Sequence, residues 1–153
     1  MTKTLKLKII TPERVVLEET VEQVTLPTTS GQITVLPDHI PLVSELASGD
    51  IVALREGEAM PIAVVGGLLR VNMNEVTVLA DFAEHVGEMA EDDIEKARTR
   101  AEKLRGEKDK VSKEEFEHFA TELERSLTRT RIAEKWRGRK YRRPPSRPAG
   151  DVI

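Results

Sequence analysis

The spacing of apolar residues changes once along this chain, at Glu88, and that change limits the fold more than any motif does. Up to Val86 the period is two. LKLKI (5–9) alternates apolar and basic residues, as a strand with one buried face does. Pro12 and Glu13 make a turn, and VVLEE, VEQVTL, ITVL, DIVALRE, PIAVV, LLRV and VTVLA follow as further strands. Between them lie TTSGQ, EGE, GG and NMNE, all turn-like in composition; Gly66-Gly67 reads as a tight hairpin turn. Many short strands with no helical stretch among them predict an antiparallel β-sandwich or flattened barrel over residues 1–86.

Beyond Glu88 the period is that of a helix. Ile94, Ala97, Ala101 and Leu104 form one stripe, with Glu91, Asp92 and Asp93 in the first turn, where acids suit the helix dipole. Gly106 is the expected stop. Ser112 with Glu115 has the form of a capping box and opens a second helix. That helix is expected to bury Phe116, Phe119/Ala120, Leu123 and Leu127, and to continue through Ile132, Ala133 and Trp136. The two stripes predict an antiparallel α-helical hairpin over 88–137. Its seam is rich in alanine, so at ~25 cal/mol per Å² it contributes only a few kcal/mol before chain entropy is subtracted. Such a hairpin can open. Residues 138–153 form a basic tail with three prolines, expected to be disordered past about Tyr141.

Charge divides the chain at the same place. Residues 1–86 hold 6 Lys/Arg against 12 Asp/Glu, a net of -6, and residues 87–153 hold 18 against 15, a net of +3. Two modules with different partners follow. The chain has no cysteine, which excludes disulfides and thiolate metal sites. No apolar run approaches the roughly 20 residues of a membrane-spanning helix, and MTKTLKLKII is too short and too alternating for a signal peptide, so a soluble chain is expected. His39, His85 and His118 have no ligands at metal-binding spacing, and no nucleophile–base arrangement or phosphate-binding glycine motif occurs. A chain acting alone as an enzyme is not expected.

Two features remain. GQITVLPDHIPLV (31–43) sets His39 between Pro37 and Pro41, so the loop is either a rigid seat for chemistry or a shaped surface for another protein. RTRIAEKWRGRKYRR, at the basic end, suits either nucleic-acid phosphates or an acidic protein surface, and a solvated helix face is the plain alternative.

The order of these features resembles the epsilon subunit of the rotary, F-type ATP synthase over about residues 3–137. The resemblance rests on GQITVLPDHIPLV, on GGLLRV followed by VTVLAD (66–81), and on RIAEKWR (131–137). Thr34 and Asp38 stand where the family often has glycine, and the tail after Trp136 is longer and more basic than usual. The resemblance implies a non-catalytic rotor subunit of a proton-translocating synthase, peripheral on the cytoplasmic face of a bacterial inner membrane. It implies that Ser30, Gly31 and Gln32, together with the His39 region, lie at the end of the sandwich touching the c-ring, while another face docks on gamma. His39 is then an interface or hydrogen-bonding residue.

The resemblance also implies that the hairpin either folds on the sandwich or extends along gamma to the alpha/beta head. There its basic helix would meet an acidic segment of beta and block ATP hydrolysis. Arg125, Arg129, Arg131, Lys135 and Arg137 are the matching cations. Some family members hold ATP through a pattern I/L-D-x-x-R-A and two arginines of the second helix. Here Asp93, Ala97, Arg125 and Arg129 match, but Asp92 replaces an apolar residue and Lys96 replaces the arginine. Lysine lacks the bidentate fork and an extra acid repels phosphate, so no cofactor is expected and ATP binding should be weak or absent.

Overall fold

A computed structural model describes residues 3–107 and 112–143 of the chain. The described residues form ten strands, a short 3-10 turn and two α-helices. The strands are β1 (Leu5–Ile10), β2 (Val15–Val21), β3 (Gln23–Thr28), β4 (Gly31–Val35), β5 (Leu42–Glu45), β6 (Gly49–Arg55), β7 (Glu58–Val65), β8 (Leu68–Asn72), β9 (Glu75–Leu79) and β10 (Phe82–His85). They make two five-stranded sheets packed face to face, in the orders β2-β1-β9-β8-β5 and β10-β7-β6-β3-β4. The β-sandwich is therefore as expected. Neighbours are antiparallel except β1 and β9, which pair in parallel.

Alternation sets the faces. Leu5, Leu7 and Ile9 of β1 point into the core while Lys6 and Lys8 point out. Leu26, Ile51, Ile62, Leu69, Val76 and Val78 meet them from the other strands, and the core is built from aliphatic side chains and Met60, with no aromatic ring. Strand β7 departs from alternation: Met60 through Val65 are all buried. Ile62 and Val64 face the other sheet, while Ala63 packs on the opposite side against Val86, Ile132 and Trp136. A continuous apolar run marks a strand covered on both faces, and the second cover is the helical layer.

Two turns read from the sequence differ in kind. EGE and NMNE close two-residue hairpins, with Glu56 and Gly57, then Met73 and Asn74, all at positive φ. Gly66-Gly67 is not a hairpin turn. It carries the chain from β7 in one sheet to β8 in the other. At Gly67 (φ 118°) a Cβ would lie 2.1 Å from the Leu79 carbonyl oxygen, so the corner closes only with glycine.

The helices are α1 (Glu91–Glu107) and α2 (Lys113–Trp136). Ile94, Ala97, Ala101 and Leu104 are buried as expected. Gly106 sits inside the last turn of α1 rather than ending it. The capping box forms: the Glu115 N–H donates to Ser112 Oγ at 3.4 Å, and the Ser112 N–H to Glu115 Oε2 at 3.3 Å. The expected stripe of α2 is only partly buried. Phe119, Ile132, Ala133 and Trp136 are enclosed, but Phe116 and Ala120 are exposed and Leu123 and Leu127 half-exposed. The reason is that α1 covers one flank of α2 while the sandwich meets only its C-terminal half. The chain is described as far as Arg143, with the Arg142 N–H donating to the Ala59 carbonyl, and residues 144–153 of the segment expected to be disordered lie outside the described residues.

Candidate functional site

The outer face of the second sheet carries carboxylates at Asp50 of β6 and Glu84 of β10, each on a strand whose neighbouring positions face the core. The last turns of α2 lie over them. Arg129 grips Glu84 with two nitrogens, Nε to Oε2 at 2.8 Å and Nη2 to Oε1 at 3.2 Å. The two side chains are 25% and 16% exposed, so this pair is shielded from water in a way surface pairs are not. Lys135 Nζ reaches both oxygens of Asp50, at 2.9 and 3.1 Å, and the Trp136 indole N–H donates to the same carboxylate at 2.9 Å. Arg125 donates to the Asp81 carbonyl at 3.3 Å and lies 5.5 Å from the centre of the Phe82 ring. Its Nε is buried with no hydrogen-bond partner. Ser48 donates to Glu124 at 2.6 Å further up the helix.

The hairpin is tied together by the same chemistry. Arg137 pairs with Glu91 at 3.2 Å, Arg100 with Glu122 at 2.8 Å, and Arg98 with both Glu95 and Glu134. Four of the five cations assigned from the sequence to an acidic partner thus already have partners within the chain: Arg125, Arg129, Lys135 and Arg137. Arg131 is exposed, and no ion pair joins it to any of the described residues; it borders a groove lined by Phe116, Leu123 and Leu127. Asp50 and Glu84 were not singled out in the sequence. Asp50 is an acid at an outward position of the mostly apolar DIVALR stretch, which is a signal, whereas the four residues FAEH give none for Glu84.

The residues matching the nucleotide pattern do not converge on one another here. Asp93 and Lys96 are exposed on α1 and Ala97 is buried in the helix seam. Arg125 and Arg129 face β10 instead, and no hydrogen bond or ion pair joins Asp93 or Lys96 to them among the described residues.

The proposed contact loop requires a correction. Ser30 lies in the turn between β3 and β4, with Gly31 opening β4 at φ 122° and Gln32 following it. His39 lies past the other end of β4. From Gly31 to Val35 β4 runs about 13 Å, so the Ser30–Gln32 turn occupies one end of the sandwich and the His39 loop the other. The His39 loop is fixed by its neighbour. Asp38 adopts φ 63°, the conformation for which glycine is common, and its N–H donates to Asn74 Oδ1 at 2.6 Å. Its carboxylate pairs with Lys3 and accepts from Asn74, which hold it below the usual carboxylate range. His39 Nδ1 is 2.7 Å from the Ile40 carbonyl, which fixes the proton on Nδ1. Around it Leu36, Ile40 and Met73 are exposed.

The family model for the ATP synthase delta/epsilon chain β-sandwich domain matches residues 4–86. The chain is 38% identical over 135 residues to an ATP synthase epsilon chain of Herpetosiphon aurantiacus, covering 88% of this chain and 98% of that one. This chain belongs to the ATP synthase epsilon chain family. An epsilon chain of Syntrophobacter fumaroxidans is 39% identical over 137 residues, covering 88% and 99% of the two chains. As a family member the chain is a structural and regulatory subunit rather than a catalytic one. The fold is shared by a chain of the Euglena gracilis mitochondrial ATP synthase (TM-score 0.64, 23% identity, 79% and 76% covered). A chain from the central stalk and c-ring of the Tetrahymena thermophila enzyme also shares it (TM-score 0.54, 15% identity, 88% and 96% covered).

Proposed function

We propose that this chain is a rotor subunit in the central stalk of a proton-translocating ATP synthase, coupling the c-ring to gamma and restraining ATP hydrolysis through its hairpin. Kinship with epsilon chains supports membership of the synthase, and a peripheral place at the cytoplasmic face of the membrane follows from that role. None of the described helices is long and apolar enough to cross a membrane, in keeping with peripheral attachment.

The observation that carries the regulatory half is the latch. Arg129 with Glu84 and Lys135 with Asp50 hold α2 on the sandwich through charge, beside a small apolar patch of Ala63, Val86, Ile132 and Trp136. A charged latch exchanges partners readily: an acidic segment of beta would offer the same cations equivalent carboxylates. The hairpin then has two resting places, and releasing it from the first favours the second. The sandwich, residues 1–86, is the docking unit and folds without the hairpin. Because its two ends are separated by β4, we assign the c-ring to the Ser30–Gln32 turn and gamma to the apolar end around His39. ATP has no vacant arginine pair to enter, since it would have to displace Glu84 from Arg129.

The test is hydrolysis by the reconstituted synthase carrying wild-type chain, a hairpin deletion, or Asp50→Asn with Glu84→Gln. The double substitution leaves every helix cation in place, so inhibition should deepen, while the deletion should abolish it. If the double variant inhibits less than wild type, the latch is not the restraint on the hairpin and the reading fails.

A further inference from the structure

Past α2 the chain does not leave the molecule. Gly138, at φ 76°, reverses its direction, and the Arg142 N–H donates to the Ala59 carbonyl at 2.7 Å. That carbonyl belongs to a stretch of β7 that β10 does not reach, because β10 pairs with β7 only from Val65 to Ile62. Residues 141–142 therefore take up the sheet edge where β10 stops, and an exposed edge is the place where an extra strand is most readily accepted. Tyr141 stands edge-on to Trp136, ring centres 6.2 Å apart, and packs 6.4 Å from the ring of His85. Arg142 also pairs with Glu56 at 3.0 Å, and Arg139 lies 5.7 Å from the centre of Trp136.

We propose that residues 138–143 are a strap that extends the β7 edge and pins the C-terminal end of the hairpin, so that α2 leaves the sandwich only after the strap peels away. The proposal rests on the reading that the hairpin moves. Its mechanical basis is reach. Four residues lie between Arg137 and Arg142, and the five backbone steps that join them span about 17 Å when fully extended. While Arg142 holds Ala59, the last turn of α2 cannot travel further than that. Under the strap, the buried His85 ring accepts the Gly87 N–H at Nδ1, 2.8 Å away, and Tyr141 packs against it.

The chain has no cysteine, so spin labels can be placed cleanly at Thr20→Cys on the sandwich and His118→Cys on α2, both exposed sites. Distance distributions would be compared for the full chain, a chain ended after Arg137, Arg142→Pro, and the latch variant Asp50→Asn/Glu84→Gln. Arg142→Pro removes the N–H that Ala59 accepts and the guanidinium that pairs with Glu56, and leaves Tyr141 in the chain. The truncated chain should raise the long-distance population about tenfold, the loss expected for one hydrogen bond and one packed aromatic ring, and Arg142→Pro should raise it several-fold through the hydrogen bond and the Glu56 pair. If the latch variant opens while both strap variants keep the wild-type distribution, the strap is passive and the proposal is wrong. If none of the variants opens, the proposal falls together with the mobile hairpin.

Discussion

Leu7, Ile9, Ile51, Ile62 and Leu69 of the sandwich are completely enclosed, whereas no described residue of α1 or α2 is less than 3% exposed. The first region is held by aliphatic side chains interleaved between two sheets. The second has a thinner apolar seam, and guanidinium and ammonium groups reaching carboxylates hold it as well. Apolar packing is insensitive to salt and offers no alternative partner, while an ion pair weakens with ionic strength and can be matched elsewhere. One chain thus contains a part suited to carrying load and a part suited to changing place.

That contrast can be broken at several points. Leu69→Ala should have the largest effect. A cavity between the sheets should cost about 2–5 kcal/mol, read by denaturant unfolding of the sheet signal. If the loss is under ~1 kcal/mol, the sandwich is not the rigid member. Glu84→Gln comes next. It should cost about 1–3 kcal/mol of docking by leaving Arg129 half-buried without its carboxylate, and leave the unfolding of the sheet nearly unchanged. Hydrogen exchange should rise in α2 and not in β6; equal rises in both would mean the two regions melt as one.

The third test is acid. Burial pushes the His85 imidazole down to about 4, against 6.5 for the free group. Between those values the unfolded chain binds a proton that the folded chain refuses, so stability is full above about 6.5 and falls as pH drops towards 4. Tyr141 packs on the ring and the Arg143 side chain approaches Gly87 beside it, so the strap should loosen first. The melting temperature of His85→Phe should depend less on pH across that window than that of wild type; identical slopes would place the proton elsewhere. The smallest effect is expected from millimolar ATP, which should leave the melting temperature of the isolated chain unchanged. A clear ATP-specific rise would mean that Asp93, Lys96, Arg125 and Arg129 do assemble a site.

Much of the fold was legible because strands and helices leave different periods. LKLKI and the Ile94–Leu104 stripe could hardly be read otherwise. Strands β5 and β10 escape a reading by period for a physical reason: LVSE and FAEH are four residues each and half polar, too short and too polar for an apolar alternation to register. The cations of α2 were visible as a cluster, but their partners were not, since Glu84 and Asp50 come near them only once the helix lies across the sheet. Gly66-Gly67 was misread because two glycines say that the chain turns sharply and not which sheet receives it.

The parallel pairing of β1 with β9 has a consequence for synthesis. The first strand is not an edge: it lies between β2 and β9, with Lys6–Ile10 beside Glu75–Leu79. As the polypeptide emerges from the ribosome, β1 can pair with β2 at once, but its other side stays open until the stretch up to Leu79 has been made. The sheet is closed by residues at opposite ends of the sandwich sequence, a demanding order of events because the long loop must be ordered before the pairing rewards it. Trimming Leu5–Ile10 would therefore act less like shortening an end than like pulling a stave from the middle of the wall.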